Sequence, residues 1–252
     1  MQLTFIGTGD CAGVPVYNCT CPICAESRTN PQKRRSSCCA YLTTETTRLL
    51  IDAGAPDLGD RFSRNAIDLI LLSHYHIDHV YGLFPMRWGS SCKPIPVYGP
   101  DYPKGCADLL QHPGIFDFSH TLQPFISQQL TDIEITPLPL NHSKPSLGYA
   151  LKYGNSRLAW LSDTSGLPGD TINFLKKWLP STMVLDCTFP PLEHPHPNHN
   201  DIDSAIALHH AIGPESTYLT HISHDLDFWF STSGFLLPQG LHLASDGLNM
   251  RV

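Results

Sequence analysis

The chain has 252 residues, 41% of them hydrophobic and 15% charged, which fits one large folded domain and excludes an intrinsically disordered chain. With 16 Lys and Arg against 23 Asp and Glu the net charge is −7, so no grip on long nucleic acid through phosphate neutralisation is expected. No apolar run is long enough to span a membrane, the first residues lack a signal peptide's basic region, and nine cysteines form no even disulfide framework; a cytoplasmic protein with reduced thiols is expected.

Short β-type runs dominate the chain. Leu3–Ile6 ends at the turn residues Gly7-Thr8-Gly9, and Cys39–Thr43 with Arg48–Asp52 reads as a hairpin around a polar turn. Leu69–Leu72 is a continuous apolar run, as in a strand buried on both faces. Further strands are expected at Ile95–Tyr98, Ile133–Leu140, Tyr149–Tyr153, Leu158–Leu161, Met183–Asp186, Tyr218–Thr220 and Leu241–Ala244. Asp170 is placed to cap a helix that runs to Trp178 and stops before Pro180, with Ile172, Leu175, Trp178 and Leu179 on one face. A second helix is expected from about Ile202 to Ile212, capped by Asp201, with Ile202, Ala205, Ile206 and Ile212 facing inward. Strands with interspersed helices and no internal repeat predict a layered α/β architecture in a single domain over residues 1–252.

Directly after Leu69–Leu72 comes Ser73-His74-Tyr75-His76-Ile77-Asp78-His79. An H-x-H-x-D-H segment would arise by chance in about 0.3% of chains of this composition. Neutral imidazole suits zinc, manganese and iron, and four donors in six residues exceed what one ion takes from so short a segment. The arrangement suits two adjacent ions, one held by His74 and His76, the other by Asp78 and His79.

The segment resembles the signature of the metallo-β-lactamase superfamily, whose fold is a four-layer αββα sandwich with a metal site at one edge. The resemblance implies three more ligands downstream: a His, a bridging Asp and a final His. His142 after Leu140, Asp163 after Leu161 and His221 after Thr220 occur in that order, each at the end of an expected strand. It thus implies one ion on His74, His76 and His142, another on Asp78, His79 and His221, and Asp163 between them. Asp52, in Leu50-Ile51-Asp52-Ala53-Gly54, matches a supporting group of the superfamily, and Gly7-Thr8-Gly9 matches its opening loop.

A second cluster, Cys19-Thr20-Cys21-Pro22-Ile23-Cys24, puts three thiols within six residues. Structural zinc needs a fourth ligand to close its tetrahedron, in a zinc-binding loop of about residues 11–38. In Thr220-His221-Ile222-Ser223-His224, His224 is free for that role if His221 serves the first cluster. Such a site would staple the N-terminal loop to the segment that carries a catalytic ligand.

Together the clusters narrow the resemblance to the cyclic phosphodiesterases of the bacterial carbon–phosphorus lyase pathway. Leu83-Phe84-Pro85, Arg87-Trp88-Gly89, Ile95–Pro100, His112-Pro113-Gly114, Phe118-Ser119-His120-Thr121 and Pro137–Lys144 support the same match. It implies hydrolysis of a small anionic cyclic diester, 5-phospho-α-D-ribosyl 1,2-cyclic phosphate, to ribose 1,5-bisphosphate in phosphonate catabolism. It also implies two Mn2+ at the active site, one structural Zn2+ and a homodimer; the donor set of the active site equally accepts Zn2+ or Fe2+.

Cleavage of a cyclic diester needs a nucleophile, here a hydroxide bridging the two ions and oriented by Asp78, and an acid for the leaving oxygen. His199 is the expected acid, because it lies just before the helix at Ile202 and matches an Asn-His segment of the family. Its neighbours His194 and His196 are expected to be exposed. Lys144, Arg34, Arg35 and Arg87 are candidates for a substrate 5-phosphate. His112 and His120 are candidates for substrate or a subunit partner, His209 for the core, and His210 and His242 for the surface. Three rivals share parts of the pattern. Acidic charge argues against a tRNA 3′-processing endonuclease, and the CxCxxC segment argues against a thioesterase of the glyoxalase II type. The full ligand set argues against a non-hydrolytic protein of the PQQ-biosynthesis type.

Overall fold

The computed structural model describes residues 1–63, 65–91, 93–102 and 104–252. Two seven-stranded sheets make up the middle of the molecule. The first contains β1 (Gln2–Gly7), β2 (Cys39–Thr43), β3 (Arg48–Ile51), β4 (Leu69–Leu71), β5 (Ile95–Gly99) and β6 (Phe116–Thr121). The second contains β7 (Gln128–Leu130), β8 (Ile133–Pro139), β9 (Leu147–Tyr153), β10 (Ser156–Leu161), β11 (Thr182–Asp186), β12 (Ser216–Thr220) and β13 (Leu241–Leu243). The final strand, β14 (Asn249–Arg251), returns to pair antiparallel with β1 at the edge of the first sheet.

Each sheet changes from antiparallel to parallel pairing partway across. In the first, β14, β1, β2 and β3 are antiparallel and β3, β4, β5 and β6 parallel. In the second, β7 to β10 are antiparallel and β10 to β13 parallel. The sheets meet face to face through Leu3, Phe5, Leu42, Leu49 and Ile51 from one side and Ile135, Tyr149, Leu151, Trp160 and Val184 from the other. Interdigitation of two apolar sheet faces is what holds such a sandwich together.

Helices cover the outer faces. On the second sheet lie α6 (Gly169–Trp178), α7 (Ile202–Ile212) and α8 (His224–Ser233), whose Leu175, Ala205, Leu208 and Leu226 pack on Ala159, Leu161, Met183 and Leu219. On the first lie the short α2 (Leu58–Arg61), α3 (Ile77–Val80), α4 (Leu83–Met86) and α5 (Ala107–Gln111), burying Leu58, Val80, Leu83 and Leu109 against Leu50, Ile70 and Val97. The result is an αββα sandwich, with α1 (Pro22–Thr29) attached beside α8. No helix among the described residues is long and apolar enough to cross a membrane.

The strands expected from sequence all form, with ends shifted by one or two residues. Both expected helices form too, and Asp201 caps α7 by accepting from Ser204 N at 2.9 Å. The start of α6 differs: Pro168 stands at the cap and Asp170 lies in the first turn, where a carboxylate still suits the helix dipole. Leu179 is not on its buried face; it takes a left-handed φ of 55° at the helix end and is 60% exposed. The strands β6, β7 and β14 and the helices α1 and α8 had no clear signature in the sequence.

Candidate metal centre

Parallel strands end on the same side of their sheet, so the loops that follow them converge. His74, His76, Asp78 and His79 follow β4, Asp52 follows β3, His142 follows β8, Asp163 follows β10 and His221 follows β12. Close passage of the loop after β3 beneath α3 needs Gly54, where a Cβ would lie 2.0 Å from the Asp78 carbonyl oxygen.

All seven residues expected from sequence come together. The donor atoms of His74, His76 and His142 lie within 4.8 Å of one another, as do those of Asp78, His79, Asp163 and His221. Asp163 stands between the groups: its Oδ2 is 3.1 Å from His79 Nε2, 3.3 Å from His221 Nε2 and 3.8 Å from His74 Nε2.

Ring orientation is set from behind by two buried carboxylates. Asp52 accepts from His79 Nδ1 at 2.9 Å and from the Ser73 hydroxyl, which in turn accepts from His74 Nδ1 at 2.9 Å. Asp186, at the end of β11, accepts from the Thr188 hydroxyl at 3.2 Å, which accepts from His221 Nδ1 at 2.9 Å. His142 Nδ1 donates to the Asn198 carbonyl at 3.1 Å. With their Nδ1 protons committed, these four rings turn Nε2 towards the site, the arrangement that fixes the tautomer of a metal-ligating histidine.

The two groups differ electrostatically. Burial, then neighbouring histidines, holds His74 well below the ordinary imidazole range; burial and His142 bring His76 down to about 4, and burial lowers His142 as well. These shifts favour the uncharged imidazole in all three rings. In the other group burial opposes charge, but the Asp163 and Asp78 carboxylates outweigh it and raise His221 to about 9. His79 is raised for the same reason by Asp163 and Asp52.

These residues fit divalent cations. His79 Nε2 and His221 Nε2 are buried without a hydrogen-bond partner among the described residues. His74 Nε2 and His142 Nε2 point lone pairs at His76 Nδ1 from 2.8 and 2.9 Å. Orphaned buried nitrogens and converging lone pairs are costly until a cation satisfies them.

A second donor set lies beside α1 and α8. The donor atoms of Cys19, Cys21, Cys24 and His224 lie within 4.8 Å of one another, with His224 Nδ1 3.6 Å from Cys19 Sγ and 3.4 Å from Cys21 Sγ. Val16 N donates to Cys24 Sγ at 3.3 Å and Cys24 N to Cys21 Sγ at 3.4 Å, which orients both sulfurs. The soft set suits zinc, and it joins residues 205 positions apart in the chain.

His199 reaches the rim of the centre, and its Nδ1 is 2.8 Å from Asp186 Oδ2. Asp186 was not singled out from sequence, although an Asp at the carboxyl end of a strand was the same signal that drew attention to Asp163. His194 is exposed as expected, but His196 is half-buried and its ring stacks on that of His199. Three cation candidates for a substrate phosphate are otherwise engaged. Arg35 is clamped by Asp227 at 2.7 and 2.9 Å, Arg34 donates to the carbonyls of Ser27 and Arg28, and Arg87 pairs with Asp108 at 2.8 Å. Lys144 remains beside the trio, its Nζ donating to the Tyr75 carbonyl at 2.9 Å. His120 pairs with Asp117 at 3.2 Å and stacks on Tyr98 in the first sheet, while His112 ends α5. His209 is a core residue whose Nδ1 meets the Thr217 hydroxyl at 2.8 Å, and His210 and His242 are exposed.

A family model described as the β-lactamase superfamily domain matches residues 47–222. An octanoyltransferase of Porphyromonas gingivalis is 26% identical over 98% of this chain and 51% of its own length. The coenzyme PQQ synthesis protein B of Methylobacterium radiotolerans is 30% identical over 46% of this chain and 42% of its own. The chain therefore spans about half the length of the curated relatives it matches. Among solved structures, a diphosphatase from the PhnP family superposes with a TM-score of 0.80 at 25% identity, covering 99% of this chain and 96% of that one. Zinc-bound PqqB from Methylobacterium extorquens superposes with a TM-score of 0.75 at 18% identity over 100% of both chains, a likeness of fold.

Proposed function

This chain belongs to the β-lactamase superfamily, and on that premise we propose that it is a metal-dependent phosphodiesterase acting on a small cyclic phosphate diester. The observation that carries the reading is the pairing of a seven-donor, two-group site with an acid, His199, held at its rim by a buried carboxylate. Likeness along nearly the whole chain to a diphosphatase of the PhnP family supports phosphoryl chemistry.

His74, His76 and His142 would hold one ion, Asp78, His79 and His221 the other, and Asp163 would contact both. Bound divalent ions supply positive charge to phosphoryl oxygens and lower the pKa of water. Asp78, in the second group, would orient the attacking water. Asp186 accepts from Nδ1 of His199, so Nε2 of that ring delivers a proton to the leaving oxygen as its bond to phosphorus breaks. Asp186 has other buried donors, Thr164 N at 3.0 Å and Asn200 N at 3.4 Å, and therefore stays fixed while His199 exchanges its proton.

The finer reading is 5-phospho-α-D-ribosyl 1,2-cyclic phosphate as substrate, with manganese or zinc at the centre, a structural zinc at the thiolate cluster and a homodimer. A second reading, diphosphate hydrolysis, is favoured by the function of that structural relative. Its leaving group is itself a phosphate and needs little protonation. Manganese-loaded protein assayed with a 2′,3′-cyclic nucleotide, the ribosyl cyclic phosphate, a nucleoside diphosphate, precursor tRNA and an octanoyl thioester separates these readings. Turnover of the ribosyl cyclic phosphate above the others is expected; turnover of the diphosphate, tRNA or thioester alone would overturn the proposal.

A further inference from the structure

The loop from His194 to Asp201 carries three histidines, and the reading above uses only His199. His196 is not the exposed bystander its Pro-rich surroundings suggest. Its ring lies parallel to His199, at a centroid distance of 5.6 Å and an interplanar angle of 18°. His199 in turn stacks on His221 at 4.6 Å and 13°. Stacked contacts thus link the three imidazoles, from His221 in the donor cluster through His199 to the half-buried His196.

His196 is held independently of His199. Its carbonyl accepts from the Ser165 hydroxyl at 2.6 Å, its Nδ1 accepts from Asn198 N at 3.3 Å, and the Phe189 ring lies tilted beside it at 4.8 Å and 54°. Pro195 and Pro197 on either side restrict the backbone. A ring anchored in this way is a platform.

His199 has need of one. The hydrogen bond to Asp186 fixes the position of Nδ1 but leaves the ring free to swing about that point. His221 stacks on the ring, and His142 and Phe189 meet it edge-on at 5.3 and 6.3 Å, so His196 supplies its other near-parallel neighbour. We infer that His196 is a positioning residue: its flat face clamps His199 against His221 so that the Nε2 proton stays aimed at the leaving oxygen. The role of the aimed proton rests on the functional reading given above; the clamping itself rests on geometry alone. An aromatic face is also compatible with a charged His199, since a ring quadrupole attracts a cation placed over it. Burial and the neighbouring His199 lower the affinity of His196 for its own proton, which favours an uncharged face.

The inference separates face from nitrogen and acid from structure. His196→Ala removes the face, whereas His196→Phe restores it without a nitrogen. Both variants are prepared as the metal-loaded full chain and assayed with a 2′,3′-cyclic nucleotide, whose alkoxide leaving group needs a proton, and with bis(p-nitrophenyl) phosphate, whose leaving group does not. Misalignment of the acid should lower kcat on the cyclic substrate roughly tenfold in His196→Ala, with KM within about twofold. The same variant should lose less than about twofold on the p-nitrophenyl ester. His196→Phe should return kcat on the cyclic substrate to within about threefold of the parent. Equal losses on both substrates, a Phe variant as poor as the Ala variant, or no loss in either would overturn the inference. A second readout needs no turnover. In zinc-loaded protein the His199 Nδ1 proton, bonded to a carboxylate, should give a sharp downfield resonance that broadens in His196→Ala and sharpens again in His196→Phe. A resonance unchanged in His196→Ala would refute the clamp. If the parent turned over neither diester, the functional reading would fall, while the resonance would still decide the clamp.

Discussion

Side chains at the candidate centre are ordered by two buried carboxylates, Asp52 and Asp186. Asp52 and Asp186 stand at the ends of β3 and β11, one in each sheet, and each reaches one site histidine directly and another through a hydroxyl. Removing one should act on metal affinity or on proton transfer according to which rings it holds. Asp52→Ala frees Nδ1 of His79 and the Ser73 hydroxyl that supports His74. It should weaken metal binding by about 10–100-fold in a chelator competition titration. Unchanged affinity would mean that packing alone fixes those rings. His199→Ala instead removes the acid and leaves the donors intact. The cyclic diester should lose about 10²–10⁴-fold in kcat at unaltered metal content by elemental analysis. A loss of metal alongside activity would place His199 among the ligands instead, since its nitrogen, Asp163, Asp186 and His221 also have donor atoms within 4.8 Å of one another.

Among the elements, α7 has the clearest testable end. Asp201 closes its first turn through Ser204 N and also accepts from Leu192 N at 3.0 Å, so one carboxylate caps the helix and ties down the loop that carries His196 and His199. Asp201→Ala should cost about 1 kcal/mol of stability, read from a denaturant midpoint at constant m-value. Burial opposes the charge of Asp201, but its bonds to Ser204 and Leu192 outweigh that and hold its carboxyl below the usual range. A depressed folded-state pKa gives stability that is present above the unfolded value and is lost as pH falls through the folded one. The deficit of Asp201→Ala should therefore shrink as acid is added below about pH 4. Asn caps without titrating, so the stability gap between Asp201→Asn and Asp201→Ala should stay constant through that range. A deficit of Asp201→Ala that does not vary with pH would assign it to lost packing.

On the scale of the whole molecule, the thiolate cluster joins the start of the chain to α8, whose first residue, His224, lies three positions beyond His221. Arg35 reinforces the same junction by bridging Asp227, the Thr8 hydroxyl and the Ala244 carbonyl. Asp246 closes the opening loop from the other side by accepting from Thr8 N and Ser36 N. Cys21→Ala should lose one zinc per chain and unfold at lower temperature while the two-group site keeps its own metal. Equal zinc content in variant and parent would refute a metal role for the cluster.

Several strands and both site clusters were legible because their signals are local. His74, His76, Asp78 and His79 sit in one short segment, the thiols in another, and His142, Asp163 and His221 follow apolar runs in the order that the superfamily resemblance implies. Strands β7 and β14 could not be read this way. Gln128–Leu130 and Asn249–Arg251 carry little apolar pattern and are strands because β8 and β1 offer them backbone partners. The fate of the cations was hidden for a similar reason, since only the fold brings Asp227 to Arg35 and Asp108 to Arg87. Donor identity and spacing along the chain thus determined which residues were available for metals and for acid chemistry. What faces what was decided by the packing of two sheets, because ring orientation depends on distant partners such as Asp52 and Asn198, 27 and 56 positions from His79 and His142. The stacking of His196 on His199 likewise depends on the fold of their shared loop, which spacing alone does not describe.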